Sequence, residues 1–333
     1  MTPLVEIRGL RAYFGEDGRV VKAIDGVDLT VREREVVGLV GESGSGKTTV
    51  ANCLLRILPP TGRIVSGVIL FKGEDLLSLS ERQMQHGIRG KEISMIFQDP
   101  MVALNPLFTA GEQVTSVLRL HQRMRGRRAR AEAIQLFRRV GLSDPERRFR
   151  CYPHELSGGM IQRVTIAMAM SCHPSLVIAD EPTTALDVTI ASQILREFEE
   201  LIRVIGVSVL WITHDLGIVR RICDYVNVMY AGTLLEHGTV DEIFRRPLHP
   251  YTESLLGCCP ARHIPKTRIP VIPGELSSAV TDGCRFAPRC PRRRSHCMTG
   301  EVALRAVVPE HSVRCGDSIG DTESERPREA CQR

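Results

Sequence analysis

Gly41-Glu42-Ser43-Gly44-Ser45-Gly46-Lys47-Thr48 decides the fold. The octapeptide matches G-x-x-x-x-G-K-[ST], a loop that leads a strand into a helix around phosphate. A triphosphate packs several negative charges into a small volume. Backbone N–H groups surround it only where no side chain blocks the approach, hence the glycines. The following helix N-terminus adds a positive dipole. Lys47 can reach the β and γ phosphates, and the Thr48 hydroxyl can bind Mg²⁺. The flanks agree: Val36–Val40 reads as a buried strand, and 47–58 as a helix stopped by Pro59-Pro60. A glycine turn beside a surface lysine, the bland alternative, would need neither flank.

A phosphate loop needs an acidic site for its metal. Leu176-Val177-Ile178-Ala179-Asp180-Glu181 supplies one. An apolar strand ending in two carboxylates puts them at the carboxyl edge of a sheet, beside the loop. Asp180 suits Mg²⁺, and Glu181 suits a general base for the attacking water. Leu156-Ser157-Gly158-Gly159-Met160-Ile161-Gln162 is a second anion site, with Ser157 at an N-cap and two glycines exposing helix N–H groups. One loop already wraps its own phosphates, so the second site is expected to close on a nucleotide held by another subunit.

These segments together resemble the nucleotide-binding subunit of an ABC transporter, with 156–159 as the family's signature. Further segments match in order. Phe97-Gln98-Asp99-Pro100 resembles the Q-loop, Ala185-Leu186-Asp187 the D-loop, and Ile212-Thr213-His214-Asp215 the switch-histidine segment. The resemblance covers 4–245. It implies an α/β, RecA-like core with an antiparallel β subdomain and a helical subdomain over about 99–170. It implies an ATPase whose catalytic residues are Glu181, His214 and Lys47. ATP would contact Phe14, Gly41, Glu42, Ser43, Gly44, Ser45, Gly46, Lys47, Thr48, Thr49 and Gln98. Phe14 is expected against adenine, with Tyr13 as the alternative ring, or Val21 if Phe14 points inward. Magnesium would sit among Thr48, Gln98 and Asp180. Ser157, Gly158, Gly159 and Gln162 would act in trans, and Asp187 in the D-loop.

Asp99-Pro100-Met101-Val102-Ala103-Leu104-Asn105-Pro106, Tyr152-Pro153-His154-Glu155 and His249-Pro250-Tyr251-Thr252 resemble the dipeptide, oligopeptide and nickel importer ATPases. The resemblance implies two membrane permease subunits, an extracytoplasmic solute-binding protein and a second ATPase, expected to be a non-identical homologue. It implies a peripheral position on the cytoplasmic face of the membrane. In such systems the solute is chosen mainly by the other subunits, so it is not written in this chain.

At ~150 residues per domain, 333 residues suggest about two. Strands alternate with helices from 175 to 232, as in an α/β sheet. The texture changes near Pro247, so the expected division is 1–246 for the ATPase domain, 247–315 for a C-terminal extension and 316–333 for a polar, disordered tail. Apolar residues at 43% and charged residues at 25% exclude a largely disordered or fibrous chain. No apolar run reaches the ~18 residues of a membrane helix, and the first residues do not read as a signal peptide. Lys and Arg number 44 against 39 Asp and Glu, a net charge of +5. Arginine clusters at 119–130 and 285–294 read as solvated faces, since acids nearly balance bases and the few aromatic residues are not interleaved as base-stacking platforms would be; no nucleic-acid partner is expected.

Of eleven cysteines, Cys284, Cys290, Cys297 and Cys315 stand together in the extension. Thiolates select soft metals. Their spacing is neither that of a zinc ribbon nor of a ferredoxin run, so an iron–sulfur cluster, zinc, disulfides and free thiols all remain open on the residues. The importer family's tail resembles this arrangement, and that resemblance implies a [4Fe-4S] cluster.

Overall fold

The computed structural model describes residues 3–16, 19–184, 186–259, 270–275 and 283–316. Asp17, Gly18, Ala185 of the expected D-loop and 317–333 of the expected tail lie outside them. In chain order the elements are β1 Pro3–Glu16, β2 Arg19–Arg32, β3 Val36–Val40, α1 Lys47–Leu55, β4 Gly62–Phe71, β5 Glu74–Asp75, α2 Glu81–Gln83 and β6 Ile93–Ile96. Then come α3 Pro100–Ala103, α4 Ala110–Gln122, α5 Gly126–Arg139, α6 Pro145–Arg148, α7 Gly158–Met170, β7 Leu176–Asp180, α8 Val188–Ile205, β8 Ser208–Thr213 and α9 Leu216–Ile222. The chain continues with β9 Tyr225–Tyr230, β10 Thr233–Thr239, α10 Val240–Arg245, α11 Pro250–Gly257, β11 Arg305–Val308 and β12 His311–Val313.

Two sheets carry the architecture. The larger has the order β11-β12-β10-β9-β3-β8-β7-β6, and the smaller, antiparallel one β2-β1-β4-β5. Strands β6, β7, β8, β3 and β9 run parallel, and β10, β12 and β11 close one side antiparallel. The alternating pattern of 4–39 suggests antiparallel pairing throughout. β3 departs from it: β3 lies between β8 and β9 in the parallel sheet, because all five of its residues are buried. Parallel strands are covered on both faces and so read as continuous apolar runs.

The alternation then sorts side chains between two cores. Val36 and Val40 of β3, Val177 and Ala179 of β7, and Val209 and Trp211 of β8 face a core shared with α4, α5, α7 and α8. Val37 and Leu39, Leu176 and Ile178, and Leu210 and Ile212 face the core under the smaller sheet and α1. Helix α1 is shorter than expected. It closes at Leu55 on Arg56, whose left-handed backbone turns its N–H back to the carbonyls of Asn52 and Cys53 before the prolines are reached.

The expected boundary at 246 is not a boundary in packing. Tyr251, Leu256, Phe286, Ala287, Cys284 and Cys297 all belong to the same core as the main sheet. β12 adds directly to β10 through Glu236 with Val313 and His237 with Ser312. Beneath this junction the Glu236 side chain is fully buried. It accepts from Leu248 N–H at 2.7 Å, His249 N–H at 2.9 Å and the His311 ring at 2.8 Å.

Candidate nucleotide-binding site

Strand order assembles the site. Across the sheet, β3, β8, β7 and β6 lie side by side and parallel, so their carboxyl ends share one edge. The phosphate loop follows β3, His214 follows β8, Asp180 and Glu181 end β7, and Gln98 follows β6. Open α/β sheets bind ligands along this edge. Segments more than a hundred residues apart in the chain are thereby neighbours.

The loop needs its glycines for space as well as for conformation. Gly41 has φ 155°, and a Cβ there would meet the Met229 carbonyl at 2.1 Å. Gly46 has φ 102°, and its Cβ would meet the Ala23 carbonyl at 2.4 Å. Ser43, Gly44 and Thr48 are exposed along the loop, Thr49 is half-buried, and Ser45 is buried. Lys47 is 5% exposed. Its ammonium donates to the carbonyls of Gly41 and Glu42 at 2.8 and 2.9 Å. Burial lowers its pKa, opposed by Glu181, Asp180 and Glu42.

The acidic pair divides as its surroundings dictate. Asp180 is 2% exposed, and burial raises its pKa while a hydrogen bond from Thr48 opposes the rise. Its Oδ1 is buried without a hydrogen-bond partner. A buried carboxylate oxygen with an open lone pair, beside a threonine hydroxyl, fits the oxygen-ligand chemistry of Mg²⁺. Glu181 is the centre of the site. Its Oε1 lies 3.0 Å from His214 Nδ1, while its Oε2 accepts from Gln98 Nε2 at 3.2 Å and Thr184 Oγ1 at 3.0 Å. Its backbone sits at φ 45°, a sparsely populated conformation for a residue with a side chain. The expected general base, switch histidine and Q-loop glutamine therefore meet on one carboxylate.

Ser157 stands at the N-cap of α7, and further along the helix turns Gln162 inward. Ser157 is exposed, caps α7 and accepts from Met160 N–H at 3.4 Å. Gly159 serves packing too, because a Cβ there would meet Ile190 Cγ2 at 2.8 Å. Gln162 departs from the expectation that it acts in trans. Its side chain is 0% exposed, with Nε2 and Oε1 unpartnered inside the protein, because position 162 falls on the inward face of α7. Asp187 is exposed at the start of α8 and makes no side-chain cap bond. The Phe14 ring lies against Gly62 of β4, where a Cβ would approach it to 2.7 Å. The Tyr13 hydroxyl donates to Asp25 at 2.9 Å. Val21 is 50% exposed.

The four clustered thiols are only partly gathered. Among the described residues, no group of three or more His, Cys, Asp or Glu side chains is placed to hold a metal ion. None of the ten described cysteines is in a disulfide. Burial, reinforced by the charges of Cys315 and Cys290, pushes the Cys284 thiol up to about 11 against N–H donors from Phe286 and Ala287. Cys290 is raised by burial, Cys315 and Cys297, with an opposing N–H from Arg292.

Sequence reasoning missed Thr184, Tyr251 and Arg289. Thr184 stands three residues beyond Glu181 and could have been found by its spacing. The other two reach the site from the C-terminal region, and His249-Pro250-Tyr251 was legible only as a family mark.

Comparison with known proteins agrees with this geometry. Residues 24–184 match the ABC transporter family, and 235–297 match the C-terminal region of oligopeptide/dipeptide transporters. A probable peptide ABC transporter ATP-binding protein of Sinorhizobium fredii is 46% identical over 94% of this chain and 94% of its own. The oligopeptide transport ATP-binding protein AppD of Bacillus subtilis is 44% identical over 95% of this chain and 97% of its own. Among solved structures, the ATP-binding cassette MJ0796, a dimer in a post-hydrolysis state with ADP and phosphate, aligns with a TM-score of 0.64 at 26% identity. The match covers 71% of this chain and 98% of that one.

Proposed function

The chain belongs to the ATP-binding cassette family of transporter ATPases, and we propose that it is the subunit whose ATP hydrolysis drives import of dipeptides, oligopeptides or related solutes across the cytoplasmic membrane. The peptide-transport relatives and the matched C-terminal region support the solute class. One observation carries the chemistry: Glu181, beside Asp180 and Lys47, is held by His214, Gln98 and Thr184 at once.

In this reading Lys47 and the N–H groups of 41–49 bind the phosphates of ATP, and Phe14 rests on the adenine. Thr48, Asp180 and Gln98 would hold Mg²⁺, which would supply positive charge to neutralise the phosphates. Glu181 accepts a proton from the attacking water, and His214 hydrogen-bonds the γ-phosphate. Ser157, Gly158 and Gly159 close over the nucleotide of a second ATPase subunit, with Asp187 at the same junction. Gln162 supports α7 from inside. Two membrane permeases and an extracytoplasmic binding protein complete the complex, with this chain on the cytoplasmic face. No helix among the described residues is long and apolar enough to cross a membrane, in keeping with a peripheral subunit.

Glu181→Gln removes the base and keeps the shape. Hydrolysis should fall by about 10²–10⁴-fold, and an ATP-bound dimer should accumulate on gel filtration. Turnover at the wild-type rate would overturn the assignment. Cys284, Cys290, Cys297 and Cys315 would hold a [4Fe-4S] cluster with a structural or regulatory role. Anaerobically purified protein should then contain iron and acid-labile sulfide; their absence refutes the cluster.

A further inference from the structure

Glu42, second residue of the phosphate loop, is held at three points. Its N–H donates to the Tyr251 hydroxyl at 2.9 Å. Its carbonyl accepts from the Lys47 ammonium at 2.9 Å. Its carboxylate Oε2 accepts from Arg289 Nη1 at 2.8 Å, and Oε1 is buried without a partner. Two of the three points come from the C-terminal region, more than 200 positions away.

Both groups are firmly seated. Tyr251 is fully buried, with its ring edge-on to Tyr230 at 4.8 Å. The side chain of Arg289 is 7% exposed. It lies over the Tyr230 ring at 5.8 Å and also donates to the carbonyls of Pro273 and Ile272 at 2.9 and 3.2 Å. Arg289 stands in the 3₁₀ turn 287–289, between Cys284 and Cys290.

We propose that Arg289 and Tyr251 are positioning residues for ATP binding, holding Glu42 and, through its carbonyl, Lys47. The physical need is electrostatic. A carboxylate in a loop that must admit a triphosphate repels it unless a cation offsets the charge. Arg289 is that cation, and a planar guanidinium braced by carbonyls and a ring offsets it without wandering into the phosphate site. Tyr251 fixes the backbone of the same residue, which sets where the Lys47 acceptors lie. The inference rests on reading 41–48 as the ATP site.

The test is Mg-ATP binding to the full-length chain by calorimetry, with thermal melts of each variant. In Arg289→Met the Kd should rise about ten-fold, as expected for stranding a partly buried charge partner. Adding Glu42→Gln to Arg289→Met should restore binding to within about three-fold of wild type, since the repelling charge is gone. A purely structural role for Arg289 predicts no such rescue. Arg289→Lys should fall between the two. Tyr251→Phe, which removes only the acceptor, should weaken binding about three-fold, and it decides the matter if Arg289→Met does not fold. Wild-type affinity in folded Arg289→Met, a double variant no tighter than the single, or wild-type affinity in Tyr251→Phe would overturn the proposal. If Lys47→Ala bound Mg-ATP as tightly as wild type, the reading of 41–48 would fail, and the proposal with it.

Discussion

At the scale of the residue, charge and burial decide what each group can do. Glu181 and Asp180 are neighbours in the chain, yet one is ringed by hydrogen-bonding partners and the other keeps an open oxygen. The proposed roles of base for Glu181 and metal ligand for Asp180 follow that difference. Burial has a different consequence at His237, which stacks on Tyr225 and meets Asn227 at 3.1 Å. Burial, then Arg32 and His311, lowers its pKa below the ordinary imidazole value. The unfolded chain therefore takes up a proton that the folded one refuses. Its contribution to stability is present above the unfolded imidazole's pKa of about 6.5 and is lost as pH falls below that, by at most about 1.4 kcal/mol per pH unit. The melting temperature should drop between pH 7.5 and 5.5, and His237→Gln should flatten that slope; an unchanged slope would refute the assignment.

At the scale of the element, packing adds demands that propensity does not foresee. Helix α4 begins with a full capping box, Thr109 and Glu112, and runs amphipathically as its apolar spacing predicts. Its Gly111 is required by a neighbour: a Cβ there would stand 2.3 Å from the Phe149 ring. Gly111→Ala should therefore destabilise the protein by about 1–3 kcal/mol despite alanine's better helix propensity. Phe149→Leu in the same chain should recover part of the loss, read by denaturant unfolding. The phosphate loop, the acidic strand end and the signature helix start were all legible, because each is a contiguous segment whose chemistry is local. The parallel role of β3 was not, since a short buried strand carries no mark of its neighbours' direction. The inward turn of Gln162 was hidden for a similar reason: a helix start proposed to meet another subunit and a helix face packed on the core run through the same few residues.

At the scale of the whole molecule, the C-terminal region is part of the ATPase rather than an appendage. It continues the main core, extends the large sheet through β12 and supplies N–H and imidazole partners to the buried Glu236. Arg285 pairs with Asp25 on the smaller sheet and donates to the Ala231 carbonyl, tying the region to both sheets. Truncation after residue 246 would remove all three partners of the Glu236 carboxylate, take Tyr251, Leu256 and Phe286 out of the main core, and bare the edge of β10. The truncated chain should be insoluble or melt far below the full protein. A truncation that melts like the full chain would show two independent units.

What the amino-acid order determined alone was the nucleotide chemistry and the α/β class. Glycine spacing, a lysine at a helix start and carboxylates at a strand end act through local backbone geometry, which adjacent residues impose on one another. What the tertiary structure alone decided was who stands beside whom. The parallel strand order gathers Gln98, Glu181 and His214 at one edge, and the docked C-terminal region brings Arg289 to Glu42 across 247 positions. Such pairings depend on how buried faces fit together, and side chains that meet only through folding leave no spacing to read.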